Sequence, residues 1–134
     1  MLSLFFMMES NGLHLDIVKY NILIDAFCKD KKLDTTRALF YNLSFKRLQQ
    51  NVKTYNMIIR GLCEEGLLYE AKELFITMEQ SGCFPNDVTY NTIIRGFIGQ
   101  HKCYEALILV DEMAKRGFSA DAFNFPLIID ILST

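Results

Sequence analysis

Little in this chain offers the chemistry of an enzyme or a metalloprotein. Its two histidines, His14 and His101, stand alone, with no partner spacing for metal binding or acid–base work. The four cysteines are Cys28, Cys63, Cys83 and Cys103, and no two form a C-x-x-C pair, so the close ligand spacing of a zinc site is missing. They read as small apolar side chains in a core, and a disulfide scaffold would be odd in a chain of this pattern. No stretch of 18 apolar residues occurs, so no membrane-spanning helix is expected. Positive charge is not in excess: Lys and Arg number 14 against 16 Asp and Glu, a net charge of −2. That balance argues against a strongly basic nucleic-acid binder at the level of the whole chain. The period-two alternation of a half-buried strand is absent. So are the H-x-E and P-C-x-x-C signature of the zinc deaminases and a Gly-rich phosphate loop. No catalytic residue, metal site or cofactor is expected, and the protein is not expected to be an enzyme.

What the chain does contain is a repeat. Tyr-Asn pairs stand at Tyr20-Asn21, Tyr55-Asn56 and Tyr90-Asn91, spaced 35 and 35 residues apart. They divide the 134 residues into units 17–51, 52–86 and 87–121. Three copies in register at such a period predict a solenoid. Each unit holds two apolar runs at helical spacing. In the middle unit the first run is Tyr55, Ile58, Ile59, Leu62 and Cys63, and Gly66 follows as a stop. The second run is Leu68, Ala71, Leu74, Phe75 and Met78, with Gly82 and Pro85 marking the exit. The next unit repeats the scheme with Tyr90, Ile93, Ile94 and Phe97, then Ala106, Leu109, Val110 and Met113, then Gly117. The fold class expected is all-α, an α-solenoid of stacked helix-turn-helix hairpins. Ala71 and Ala106 mark matching points of expected close helix approach, with Thr36 in that place in the first unit.

Two partial units flank the array. Residues 1–16 match only a second helix and residues 122–134 only a first helix. The apolar side chains of Leu4, Phe5 and Met8 at one end, and of Phe125, Ile128, Ile129 and Leu132 at the other, would ordinarily be covered by neighbouring units. Self-association through these ends is therefore expected, as is origin in a longer parent. The opening MLSLFFMMES lacks the Arg- and Ser-rich character of a transit peptide.

The phrase VTYNTIIRGF at Val88–Phe97, the run YNMIIRGLCEEGLLYEAKELF at Tyr55–Phe75 and the constant 35-residue length resemble the pentatricopeptide repeat, P-class. The tetratricopeptide repeat, with 34 residues and a tryptophan signature, fits less well, since the chain has no tryptophan. The closing RGFSADAFNFPLIIDILST is similar to the C-terminal end of plant restorer-of-fertility-like members. The resemblance implies a right-handed superhelix whose first helices line a groove for single-stranded RNA, one base per unit. It implies base reading by the residue after each Tyr together with the last residue of the same unit. These pairs are Asn21 with Asn51, Asn56 with Asn86, and Asn91 with Asp121. It also implies a base-wedging apolar residue three positions earlier, here Val18 and Val88, with Lys53 departing from that type.

An Asn amide both donates and accepts, so it suits either pyrimidine edge; an ionised Asp only accepts, which suits the N3–H of uracil. The implied readout is pyrimidine–pyrimidine–uracil, 5′ to 3′, while Pro126 in the last partial unit reads nothing. Phosphate contacts are expected from Lys19, Lys29, Lys53, Arg60 and Arg95, opposed by Asp25 and Glu64. The resemblance further implies an organellar transcript as partner, mitochondrial with the chloroplast as alternative, and protein processing partners. Two alternatives stay open: a helical protein–protein interaction scaffold, and a non-functional truncated gene product. Plainer roles also exist for single residues. The Tyr of each pair can serve packing alone, an Asn at a helix start can be a cap, and Lys29-Asp30-Lys31-Lys32 can be a solvated turn.

Overall fold

The computed structural model describes residues 16–45 and 49–133. The partial unit at residues 1–15, with Leu4, Phe5, Met8 and His14, lies outside the described residues. Helices run in pairs: α1 (Ile17–Lys29) with α2 (Leu33–Phe45), α3 (Val52–Glu64) with α4 (Leu68–Gln80), and α5 (Asp87–Gly99) with α6 (Cys103–Lys115). A last helix, α7 (Asn124–Leu132), takes the place of a further first helix. Among the described residues there is no strand, and no helix is long and apolar enough to cross a membrane.

Local chemistry sets these boundaries. The first helices start at Asp16, Asn51 and Asn86, whose side chains accept from the backbone N–H three residues on, at Lys19, Thr54 and Thr89. Thr54 and Thr89 complete the reciprocal bond from their own side chains, closing a capping box. The turn inside each pair is also shared. Lys31, Gly66 and His101 occupy the left-handed region at φ 58°, 78° and 60°. The following N–H groups, of Lys32, Leu67 and Lys102, return to the carbonyls of Phe27, Leu62 and Phe97 at 2.9 Å each. This is the Schellman closure that satisfies orphan carbonyls at a helix end.

The first helices α1, α3, α5 and α7 stack on one another, while α2 and α4 each pack on their own partner and on the first helix of the next unit. The result is a two-layer solenoid. Its core holds the predicted stripes: Tyr55, Ile58, Ile59, Leu62, Leu68, Ala71, Leu74, Phe75, Met78, Tyr90, Ile93, Ile94 and Phe97 are all buried. The repeated tyrosines belong to this core. Phe40 of α2 meets Tyr55 edge-on at 5.1 Å between ring centroids, and Phe75 of α4 meets Tyr90 in the same way at 5.1 Å. Such pairs add about 0.5–1.5 kcal/mol to the burial itself, so each tyrosine stabilises a junction between units. Ala71, Ala106 and Thr36 are buried as expected, and Thr36 donates its hydroxyl to the Lys32 carbonyl at 3.0 Å.

Two close approaches that periodicity did not mark occur at Gly61 and Gly96. A β-carbon on Gly96 would stand 2.7 Å from Cys63 Sγ, and one on Gly61 3.2 Å from Cys28 Sγ. A small residue there lets successive first helices nest over the cysteine of the preceding unit. On α7, Ile128 is buried, whereas Phe125, Ile129 and Leu132 are exposed.

Candidate nucleic-acid interface

The stacking of first helices turns one face of each toward a common groove of about 1040 Å³. That volume is at the upper end for ligand pockets, but the groove runs along the stack and spans three units. Its lining includes Asn21, Asn56 and Asn91 from the first turns of α1, α3 and α5. Between them stand Asn51, Asn86 and Asp121, the last residues of the three units. All six expected base-reading positions therefore share one surface. Val18 and Val88 also line it and are largely exposed, at 63% and 51%. Lys53 occupies the equivalent place between them.

Hydrogen bonds tie the pairs together. Asn56 Nδ2 donates to Asn86 Oδ1 at 3.3 Å, which joins the two members of the middle pair. Asn51 and Asn86 are at once unit ends and helix caps, so the cap and the expected reading position are the same residue. Thr54 Oγ1 lies 2.7 Å from Asn21 Oδ1, and Thr89 Oγ1 lies 2.5 Å from Asn56 Oδ1. Each threonine thus links Asn21 or Asn56 of one unit to the capping box of the next. In the third pair the Asp121 N–H donates to Asn91 Oδ1 at 2.9 Å.

Of the five expected phosphate contacts, Lys53, Arg60 and Arg95 line the groove, whereas Lys19 and Lys29 are not among its lining residues. Lys29 pairs with Asp25 at 2.9 Å. Arg60 reaches the same Asp25 from the first helix of the next unit, α3, at 3.3 Å. Asp25, Arg60 and Arg95 follow at 35-residue steps, so Arg95 faces no acid at the equivalent place one unit back and pairs instead with Asp121, at 2.8 Å. The hydrogen bond from Lys29, opposed by desolvation and aided by the charges of Lys29 and Arg60, holds the Asp25 carboxyl below its ordinary range. Lys53 has no ion-pair partner among the described residues. In the groove, Lys53, Arg60 and Arg95 meet Asp25, Asp87 and Asp121, which leaves it electrically balanced.

Sequence reasoning missed part of this surface. Ile22, Met57 and Thr92 line the groove one residue after Asn21, Asn56 and Asn91, and their 35-residue spacing was the available signal. It also missed Thr54, Thr89 and Asn124, which bond to those amides. Glu64 is exposed, 3.8 Å from Arg60.

The sequence pattern of the PPR repeat family matches residues 15–64, 50–99 and 85–133. No curated protein matches the chain in sequence. Among solved structures, the pentatricopeptide repeat protein PPR10 from maize is similar in fold, with a TM-score of 0.81 and 24% identity over 97% of this chain. PPR10 in complex with an 18-nt psaJ RNA element gives 0.82 at the same identity. The chain spans 19% of the length of that protein. The PPR domain of Arabidopsis thaliana protein-only RNase P 1, in complex with tRNA, gives a TM-score of 0.81 at 10% identity, over 99% of this chain and 69% of that one.

Proposed function

Because the chain belongs to the PPR repeat family, with matches running from residue 15 to residue 133, we propose that it binds single-stranded RNA along the groove of its first helices. The observation that carries this reading is the lining of one groove by Asn21, Asn51, Asn56, Asn86, Asn91 and Asp121 at a constant repeat. On the family pattern each pair faces one base, and the order is pyrimidine–pyrimidine–uracil. Val18 and Val88 supply exposed apolar surface for the bases, and Lys53 supplies a cation for the backbone. The solved structures of PPR10 with an RNA element and of the RNase P domain with tRNA support the choice of ligand. Occupancy of an organellar transcript, mitochondrial with the chloroplast as alternative, is the proposed action, and no catalysis is assigned to the chain.

Three bases make a small target. Stacking contributes about 1–3 kcal/mol per base, and ordering of the strand opposes it, so a Kd of roughly 10 μM to 1 mM is expected for the chain alone. The test places the three units between capped consensus units and measures fluorescence anisotropy with RNAs carrying pyrimidine–pyrimidine–uracil or purines at those places. A preference for the first RNA is expected. Equal affinity for both removes base reading and leaves a backbone binder. Absence of binding by a folded array removes RNA altogether and favours a protein-interaction scaffold.

A further inference from the structure

The Asn91 side chain has no hydrogen-bonding place left for a ligand. Its Nδ2 donates to the Asp87 carbonyl at 2.9 Å and to the Ser119 carbonyl at 3.1 Å. Its Oδ1 accepts from the Asp121 N–H at 2.9 Å and from Asn124 Nδ2 at 3.0 Å. An amide has two N–H donors and two acceptor lone pairs, so all four are taken, and the residue is 4% exposed. Three of the four partners are backbone groups that only donate or only accept, so the amide cannot be turned round. Asn56, the equivalent residue of the middle unit, is half-buried and bonds only Asn86 and Thr89 among the described residues, which leaves it one N–H and one lone pair.

The third unit offers the groove a different pair of side chains. Arg60 finds an acid one unit back, Asp25, and reaches it at 3.3 Å. Arg95 has Arg60 in that place and turns instead to the end of its own unit. Its Nη2 donates to Asp121 Oδ2 at 2.8 Å, and its Nε donates to Asn124 Oδ1 at 3.2 Å. The guanidinium also lies 4.6 Å from the Phe123 ring centroid, which holds it in place. A guanidinium carries five N–H donors, so three remain among the described residues. Asp121 Oδ1 accepts the Asn124 backbone N–H at 2.8 Å, so each carboxylate oxygen keeps a lone pair. Both side chains line the groove, 43% and 41% exposed. A free N–H and a free lone pair thus stand side by side on one rigid ion pair.

We infer that Arg95 takes the place of Asn91 as a reading residue of the third unit, so that a guanidinium–carboxylate pair recognises the N–H and carbonyl edge of uracil. The inference rests on the RNA reading proposed above, and it moves Arg95 from the RNA backbone to the base. With the carboxylate on the ring nitrogen, Asp121 accepts from uracil N3–H and Arg95 donates to the neighbouring carbonyl. Cytosine in the same place turns its N3 lone pair to the carboxylate and its amino N–H to the guanidinium, so both contacts are lost. The ion pair stays closed throughout, whereas use of Asn91 would break one of its bonds and leave a buried polar group unpaired.

The test uses the whole 134-residue chain, native and Arg95→Met, with short RNAs carrying uracil, cytosine or adenine at the second or the third position. Affinity and side-chain amide resonances are followed by NMR titration. In the native chain the third position is expected to prefer uracil over cytosine about tenfold, the value of a two-point contact to a base edge. Arg95→Met is expected to cut that preference to about twofold by weakening the uracil RNA alone. The second-position preference and the salt dependence are expected to stay unchanged, whereas loss of a phosphate contact would weaken all RNAs alike and flatten the salt slope. The Asn91 NH₂ is expected to be protected from exchange with and without RNA. Should Arg95→Met loosen α7, Arg95→Lys repeats the comparison, since it keeps the cation for a phosphate but lacks the fork that serves carboxylate and base together.

Rapid exchange of the native Asn91 NH₂ overturns the inference whatever the RNA does. So does a third-position preference that both Arg95 variants leave unchanged. A uniform loss of affinity with a flatter salt slope also overturns it, and returns Arg95 to the phosphate backbone. Rejection of adenine at the second position, with uracil and cytosine bound equally at the third, overturns this inference alone. Equal affinity for every RNA overturns the base-reading function itself and this inference with it.

Discussion

Two tyrosines that occupy equivalent places end differently at the hydroxyl. Tyr20 accepts from Asn42 Nδ2 at 3.5 Å, whereas the buried Tyr90 hydroxyl makes no hydrogen bond of good geometry. Burial, with the nearby Glu112 carboxylate, pushes the Tyr90 phenol up to about 12. A buried hydroxyl without a partner costs about 1–3 kcal/mol. Tyr90→Phe keeps the ring against Phe75 and is expected to be neutral or to stabilise by up to about 1 kcal/mol in urea unfolding; a comparable loss would show that the hydroxyl reaches Glu112 in solution. Asp25 gives a prediction with pH. Its folded-state pKa is depressed, chiefly by the Lys29 hydrogen bond. Its stabilising contribution is therefore present above the ordinary carboxylate pKa and is lost as pH falls through the lowered one. An NMR titration of the Asp25 carboxyl is expected to give a midpoint below 3.8, and Lys29→Ala is expected to raise it more than Arg60→Ala does. A midpoint at or above the ordinary value would mean that these ion pairs are not held in water. At this scale the sequence is ambiguous, since Asn51 and Asn86 satisfy the requirements of a helix cap and of the proposed reading position with the same side-chain oxygen.

The elements were the most legible part. A helix pair needs only apolar spacing, an N-cap and a left-handed turn, and all three are local in sequence. The stripes from Tyr55 to Met78 and the stop at Gly66 were readable for that reason. The charged run Lys29-Asp30-Lys31-Lys32 was readable as a turn, but neither Lys31 nor His101 was readable as its left-handed residue, because that is a conformation glycine adopts without strain. His101→Gly is expected to stabilise by about 0.5–1 kcal/mol, since an L-residue at positive φ carries a steric penalty larger than the entropy glycine adds. An unchanged or lower urea midpoint would show that the His101 side chain contributes something else. Glycines at a helix contact were also hidden, because a glycine inside an apolar stripe looks like a weakness. A methyl at Gly96 would press on Cys63 Sγ at 2.7 Å and Cys63 Cβ at 2.9 Å, whereas one at Gly61 would meet only sulfur at 3.2 Å. Gly96→Ala is expected to destabilise by about 1–3 kcal/mol, while Gly61→Ala falls near zero because alanine is the better helix former. Adding Cys63→Ala should recover much of the first loss. Equal effects at the two glycines would mean that the helices separate freely.

At the scale of the whole molecule, the period was legible and the electrostatics were not. A net charge of −2 says nothing of where the charges meet. Lys19 and Arg95 look alike on one list of basic residues until the stack places Arg95 in the groove and leaves Lys19 off its lining. The bonds between the amides of successive units link residues 30 and 33 apart, as from Asn56 to Asn86 and from Asn124 to Asn91, and no helical periodicity reports on such pairs. The same placement controls how RNA binding should respond to salt. Arg60 and Arg95 are held by Asp25 and Asp121, so contact with phosphate would sacrifice an existing ion pair. Lys53 makes no such bond among the described residues, sits mid-groove, and is exposed. For a single strand, log K falls with log[salt] at about −0.7 per phosphate neutralised. A slope near −0.7 is therefore expected for the native units, flattening toward zero in Lys53→Gln. A native slope near −2 would show instead that both arginines leave their carboxylates for the RNA backbone. Loss of charge at Lys53 would then remove only about a third of the dependence, and the groove would act as a set of ion pairs opened by its ligand rather than as a neutral surface carrying one free cation.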